Sequence, residues 1–106
     1  MDRIRKLYLS KGVIMIIESI KIDLNELYEK AIQYWEYEDN YSNRIIVAVF
    51  PEENNEGYYW GSICVKDEVD IDPEDYPKFN IRNRYMTLEG AKLDAERYFE
   101  SVSLKY

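Results

Sequence analysis

Histidine is absent from this sequence, and cysteine occurs once. Without histidine the commonest general base and the commonest metal ligand are missing, and no Ser–His or Cys–His pair can be assembled. A lone Cys64 excludes an internal disulfide and a cysteine-built zinc site. Glycine is scarce, at four residues, and none falls in a phosphate-cradling loop. Long apolar runs are missing too. The weakly polar stretch Gly12–Ile17 (GVIMII) is far short of the ~20 residues a membrane span requires. Glu18 and Lys21 follow it with no small-residue cleavage site, so neither a span nor a signal peptide is expected.

What is present is a 106-residue chain, 46% hydrophobic and 15% aromatic, which suffices for one packed domain. Its 14 basic and 21 acidic side chains leave a net charge of −7, which opposes an electrostatic grip on nucleic acid or anionic lipid. The charge is unevenly spread. Residues 1–14 carry four basic groups against one acidic, and the remainder carries 10 against 20, a net of −10. The string Lys11-Gly12-Val13-Ile14-Met15 can be encoded so as to contain AAGGAG, a bacterial ribosome-binding consensus, just ahead of a Met codon. Residues 1–14 are therefore expected to be a translated leader or a disordered basic arm, and residues 15–106 a single acidic α+β domain.

Hydrophobic periodicity supplies the elements. Met15–Ile22 alternates with β-branched residues and reads as a strand or extended lead-in. Asp23 is an N-cap with Glu26 at the capping-box position, and Leu24, Leu27, Tyr28, Ala31 and Trp35 predict an amphipathic helix over 24–37. Arg44–Phe50 (RIIVAVF) is a nearly continuous apolar strand, covered on both faces or central in the sheet, and stopped by Pro51. It forms a hairpin with Tyr58–Lys66. Lys78–Tyr85 predicts a strand with one basic face, Lys78, Arg82 and Arg84. Thr87 caps a final helix with a stripe of Leu88, Ala91, Ala95, Tyr98, Phe99 and Val102. The order is (β)αβββα. The expected class is α+β, with a three- to four-stranded antiparallel sheet and both helices on one face.

That order, and the last helix with its Ala91-Lys92 pair and small residues at Gly90 and Ala95, resembles a double-stranded-RNA-binding domain over residues 23–103. The resemblance implies a scaffold in which the start of this helix would meet phosphates. Here that stretch is Leu88-Glu89-Gly90, with Lys92 alone retained, so the basic grip is not carried over.

Two features stand out as candidate sites. The acidic loop Asp67, Glu68, Asp70, Asp72, Glu74 and Asp75 offers six carboxylates, ending beside Tyr76. It is not an EF-hand loop: counted from Asp70, position six is Asp75 rather than glycine and position twelve is Ile81 rather than glutamate. Glu52, Glu53 and Glu56 in the hairpin turn, and Glu36, Glu38 and Asp39 at the end of the first helix, extend the row. Eleven tyrosines exceed what a small core requires, and Tyr37, Tyr41, Tyr58 and Tyr76 are placed among these carboxylates as interface anchors. Cys64, mid-strand, reads as a small apolar residue rather than a nucleophile.

No catalytic residue, cofactor site or metal site is expected. The acidic, Ile/Lys/Asn/Tyr/Glu-rich character resembles small phage-encoded counter-defence proteins of the anti-CRISPR or antirestriction type. That resemblance implies a cytoplasmic, non-enzymatic inhibitor or adaptor in a bacterial or phage-infected cell. It would mimic nucleic acid in the basic groove of a protein partner, binding neither nucleic acid nor membrane itself. Two alternatives stand beside it: a divergent nucleic-acid-binding or ribonucleoprotein module using the Lys78–Lys92 face, and a homodimer joined through a strand edge.

Overall fold

The structure, a computed structural model, describes residues 2–10, 13–38, 43–54, 56–65 and 77–103, with side chains from Glu18 onward. The elements in chain order are β1 (Asp2–Ser10), β2 (Val13–Lys21), α1 (Leu24–Lys30), β3 (Gln33–Glu38), β4 (Arg44–Pro51), β5 (Tyr58–Val65), β6 (Lys78–Tyr85) and α2 (Leu88–Ser103). The α+β class, the antiparallel sheet and the two helices match the sequence expectation. The sheet is larger than expected, with six strands in the order β1-β2-β6-β5-β4-β3, every neighbouring pair antiparallel. Residues 1–14, expected as a leader or basic arm, contribute β1 and the first two residues of β2.

One added strand comes from the helix expected over 24–37, which stops at Lys30. Asp23 caps α1 by accepting from the Asn25 amide, and the helix ends where Ala31 turns extended. The Ile32 amide then donates to the Val49 carbonyl at 2.8 Å, and the chain enters β3. The periodicity misled because the step from Ala31 to Trp35 spans four residues, which suits a helix turn and a strand's alternation equally. The aromatic run Tyr34-Trp35-Tyr37 favours the strand.

The helices lie on opposite faces of the sheet, not on one. In β4, Ile46, Ala48 and Phe50 face α1, joining Leu27, Tyr59, Ile63 and Phe79 in one core. Val47 and Val49, at the alternate positions, join Trp60 and α2's Ala91 and Ala95 in the second. All five β4 residues are at most 2% exposed. At roughly 1.5–3 kcal/mol for burying a large apolar side chain, neither face could be left in water. The double-sided apolar run therefore requires two covers, and one helix supplies each. Ala91 and Ala95 are small enough to let α2 lie close on the sheet.

A β-bulge sets the course of β6. Trp60 pairs with Asn83, but the next residue, Gly61, pairs with Ile81, so Arg82 is the extra residue. At this point the β6 backbone presses against Gly61, where any Cβ would overlap the Asn80 carbonyl oxygen and come within 2.7 Å of the Phe79 ring. Gly61→Ala is expected to destabilise the protein by about 1–3 kcal/mol through this overpacking. Thermal and urea denaturation of the variant check it, and an unchanged midpoint would contradict the account.

Candidate functional site

Arg44 begins β4 between two neighbours: Glu38 at the end of β3 on one side and Val65 at the end of β5 on the other. At strand spacings of about 4.8 Å, this row places Glu38 roughly 10 Å from Val65. Two of the connections at this end of the sheet, β3–β4 and β5–β6, carry acidic residues. Asp39 and Tyr41 lie in the link from Glu38 to Asn43, and Asp67, Glu68, Asp70, Asp72, Glu74, Asp75 and Tyr76 in the link from Val65 to Pro77. These nine residues fall outside the described residues, whereas their tethers are fixed. The Pro77 carbonyl accepts from the Ile22 amide at 3.4 Å, holding the far tether beside the entry to α1.

Next to these tethers, on the α1 face, sits a charged aromatic cluster. The Tyr28 hydroxyl donates to Glu36 Oε1 at 2.8 Å. Arg44 Nη1 lies 3.2 Å from the same oxygen and 3.4 Å from the Tyr28 hydroxyl oxygen. The Tyr34 ring, 44% exposed, packs against Tyr28 with centroids 4.9 Å apart. Burial first, then the hydrogen bond to Glu36 and its charge, pushes the Tyr28 phenol up from 10.0 to about 12. Glu38 is exposed further along the strand. Tyr34 and Glu36 become same-face neighbours because 33–38 is a strand, so the helical reading obscured this cluster. A period-two reading of QYWEYE would have put Tyr34 and Glu36 on one face, though not beside Tyr28 or Arg44.

The other acidic candidates are elsewhere. Glu52, Glu53 and Glu56 belong to the β4–β5 turn, at the opposite end of an eight-residue strand and so about 24 Å away. Glu52 is drawn inward to ion-pair with Arg84, which also holds Glu18 at 2.5 Å and lies over the Tyr59 ring. Tyr58 is half-buried against the α2 core, and Tyr37 is half-buried on β3.

The bulge also divides the basic face expected on β6. Arg84 lies on the α1 face with Glu18 and Glu52. Arg82 lies on the α2 face, where its Nε donates to Ser62 Oγ at 2.8 Å and its guanidinium stacks 4.4 Å from the Tyr98 ring centre. Simple alternation would have put both on one face; the extra residue shifts the phase between them. Alongside, Asp94 accepts from Trp60 Nε1 at 2.9 Å and from Asn83 Nδ2 at 3.4 Å, which fixes α2 to the sheet. A hydrogen bond with Asp94 also raises the Tyr85 phenol.

An open groove of about 390 Å³ lies between the last turns of α2 and β5–β6, lined by Ser62, Cys64, Asn80, Arg82 and Tyr98 among others. It offers hydrogen-bonding groups and one guanidinium but no acid–base pair. Among the described residues, no three acidic or cysteine side chains are grouped so as to hold a metal ion. Nor is any helix there long and apolar enough to cross a membrane.

No family model matches the chain, and no curated protein or solved structure does either.

The elevated Tyr28 value has a measurable consequence. Because the folded pKa is raised, the contribution is fully present below pH 10 and is lost as pH rises towards 12. Tyr28→Phe is expected to remove one late-titrating phenol from the ultraviolet phenolate curve and to flatten this alkaline loss of stability. Identical curves for the two proteins would contradict the assignment.

Proposed function

We propose that this chain is a non-enzymatic protein-binding inhibitor or adaptor. In this reading, its acidic, tyrosine-bearing end occupies the basic groove of a nucleic-acid-handling protein, in the manner of a nucleic-acid mimic. The row Glu38–Arg44–Val65 carries the proposal, because it tethers both acidic segments to one end of a rigid sheet. Carboxylates gathered in this way steer a cationic partner from a distance, while exposed rings such as Tyr34 add contact area at low rotamer cost. Within the cluster, Arg44 neutralises Glu36 only, leaving the acidic segments to set the sign of the field. Glu52, Glu53 and Glu56, at the far end, would contact such a partner only if its groove wrapped the whole sheet. The alternative of direct nucleic-acid binding has less support, since Arg82 and Arg84 point to opposite faces.

The test is capture of partners from a bacterial host extract by the tagged chain, followed by competition. A nucleic-acid-handling protein is expected, displaced by added DNA or RNA and weakened about tenfold or more when salt is raised from about 0.05 to 0.5 M. Reversing Asp70, Asp72, Glu74 and Asp75 to lysine is expected to abolish capture. Capture unaffected by that variant, or a gel shift of nucleic acid by the chain alone at physiological salt, would overturn the reading.

A further inference from the structure

The sheet has two open edges, β1 and β3, and neither has a further strand beside it among the described residues. Six antiparallel strands make an even number, so these two edges run in opposite directions. A second copy placed beside the first, in the same orientation, would therefore continue the ladder as another antiparallel pair, keeping each face aligned with its counterpart.

The two edges also differ in charge. Over Gln33–Glu38, β3 carries Glu36 and Glu38 and no basic residue. Over Asp2–Ser10, β1 carries Arg3, Arg5 and Lys6 against Asp2. The register brings the opposite charges to the same level. One row of paired residues crosses the whole sheet as Tyr34, Ala48, Gly61, Ile81, Glu18 and Arg5. The adjacent row runs Trp35, Val47, Ser62, Asn80, Ser19 and Ile4. One residue further, position 3 is level with position 36. In a copy shifted straight across the strands, Arg3 would stand opposite Glu36 and diagonal to Glu38, and Arg5 would be diagonal to Glu36.

We propose that copies of this chain associate head to tail, with β3 of one copy pairing with β1 of the next. Cross-strand pairs of opposite charge favour this ladder. Joining like edges would set Glu36 and Glu38 against their own copies, or Arg3, Arg5 and Lys6 against theirs, which is the charge arrangement that blocks edge pairing. The contact is heterologous, so each copy keeps one free edge of each kind and growth does not stop at a dimer. One short ladder buries little surface, and association is correspondingly weak and salt-sensitive. This inference stands independently of the partner reading above.

Sedimentation velocity of the full chain over a concentration series is the test. Near 0.02 M salt the weight-average mass is expected to rise continuously above the 12.8 kDa of one copy, and to return to it near 0.5 M. Two variants make the edges alike: Arg3→Glu with Arg5→Glu, and Glu36→Lys with Glu38→Lys. Each alone is expected to be monomeric where the parent is at least doubled in mass, and an equimolar mixture of the two is expected to associate again. Glu38→Lys alone leaves the Tyr28–Glu36–Arg44 cluster intact and should weaken association at least threefold, with circular dichroism confirming the fold. A parent that stays monomeric at every concentration, a mass that stops at two copies, or a mixture that fails to reassemble would each overturn the proposal.

Discussion

Strand β4 is apolar at every position from Ile46 to Phe50, and burying both of its faces is the constraint on which the rest of the molecule depends. A strand with one wet face would have allowed both helices to share a side. Here Ile46, Ala48 and Phe50 require α1, while Val47 and Val49 require α2. β4 must then lie inside the sheet, and β3 and β5 flank it on either side. The chain's short first helix follows from the same demand, because Ile32 leaves α1 to hydrogen-bond to β4 and the aromatic run after it becomes the flanking strand.

A second constraint, the contact of β6 with Gly61, decides where the positive charge goes. The bulge at Arg82 lets β6 present Arg82 and Asn83 to α2 and Arg84 to the other side. Arg84 then serves the fold, binding Glu18 and Glu52 over the Tyr59 ring, and Arg82 stacks on Tyr98. Arg44, Arg82 and Arg84 are thus each engaged by neighbouring side chains.

Much of the fold was legible. RIIVAVF announced a strand covered on both faces, Asp23 and Thr87 marked the helix starts, and Lys78–Tyr85 was bounded as observed. What was not legible has physical causes. Residues 31 and 35 satisfy helical and strand periods together, so β3 was hidden inside a helix. A bulge has no period of its own; only the close approach at Gly61 reveals it, and that depends on a strand distant in sequence. Of the candidate site, the carboxylates were visible as composition. Their division between two ends of β4, and the Tyr28–Glu36–Arg44 cluster, depend on register and could be read only from the paired strands.

The proposed function gives the two ends of the sheet different roles. The Glu38–Arg44–Val65 end presents acidic segments to a partner, and the β4–β5 turn end ties Glu52 to Arg84 and β2. Hydrogen–deuterium exchange of the chain with and without its captured partner tests this division most directly. The account predicts new protection at residues 36–44 and 65–78, with the 52–58 turn and α2 unchanged. Protection confined to the turn or to α2 would contradict it.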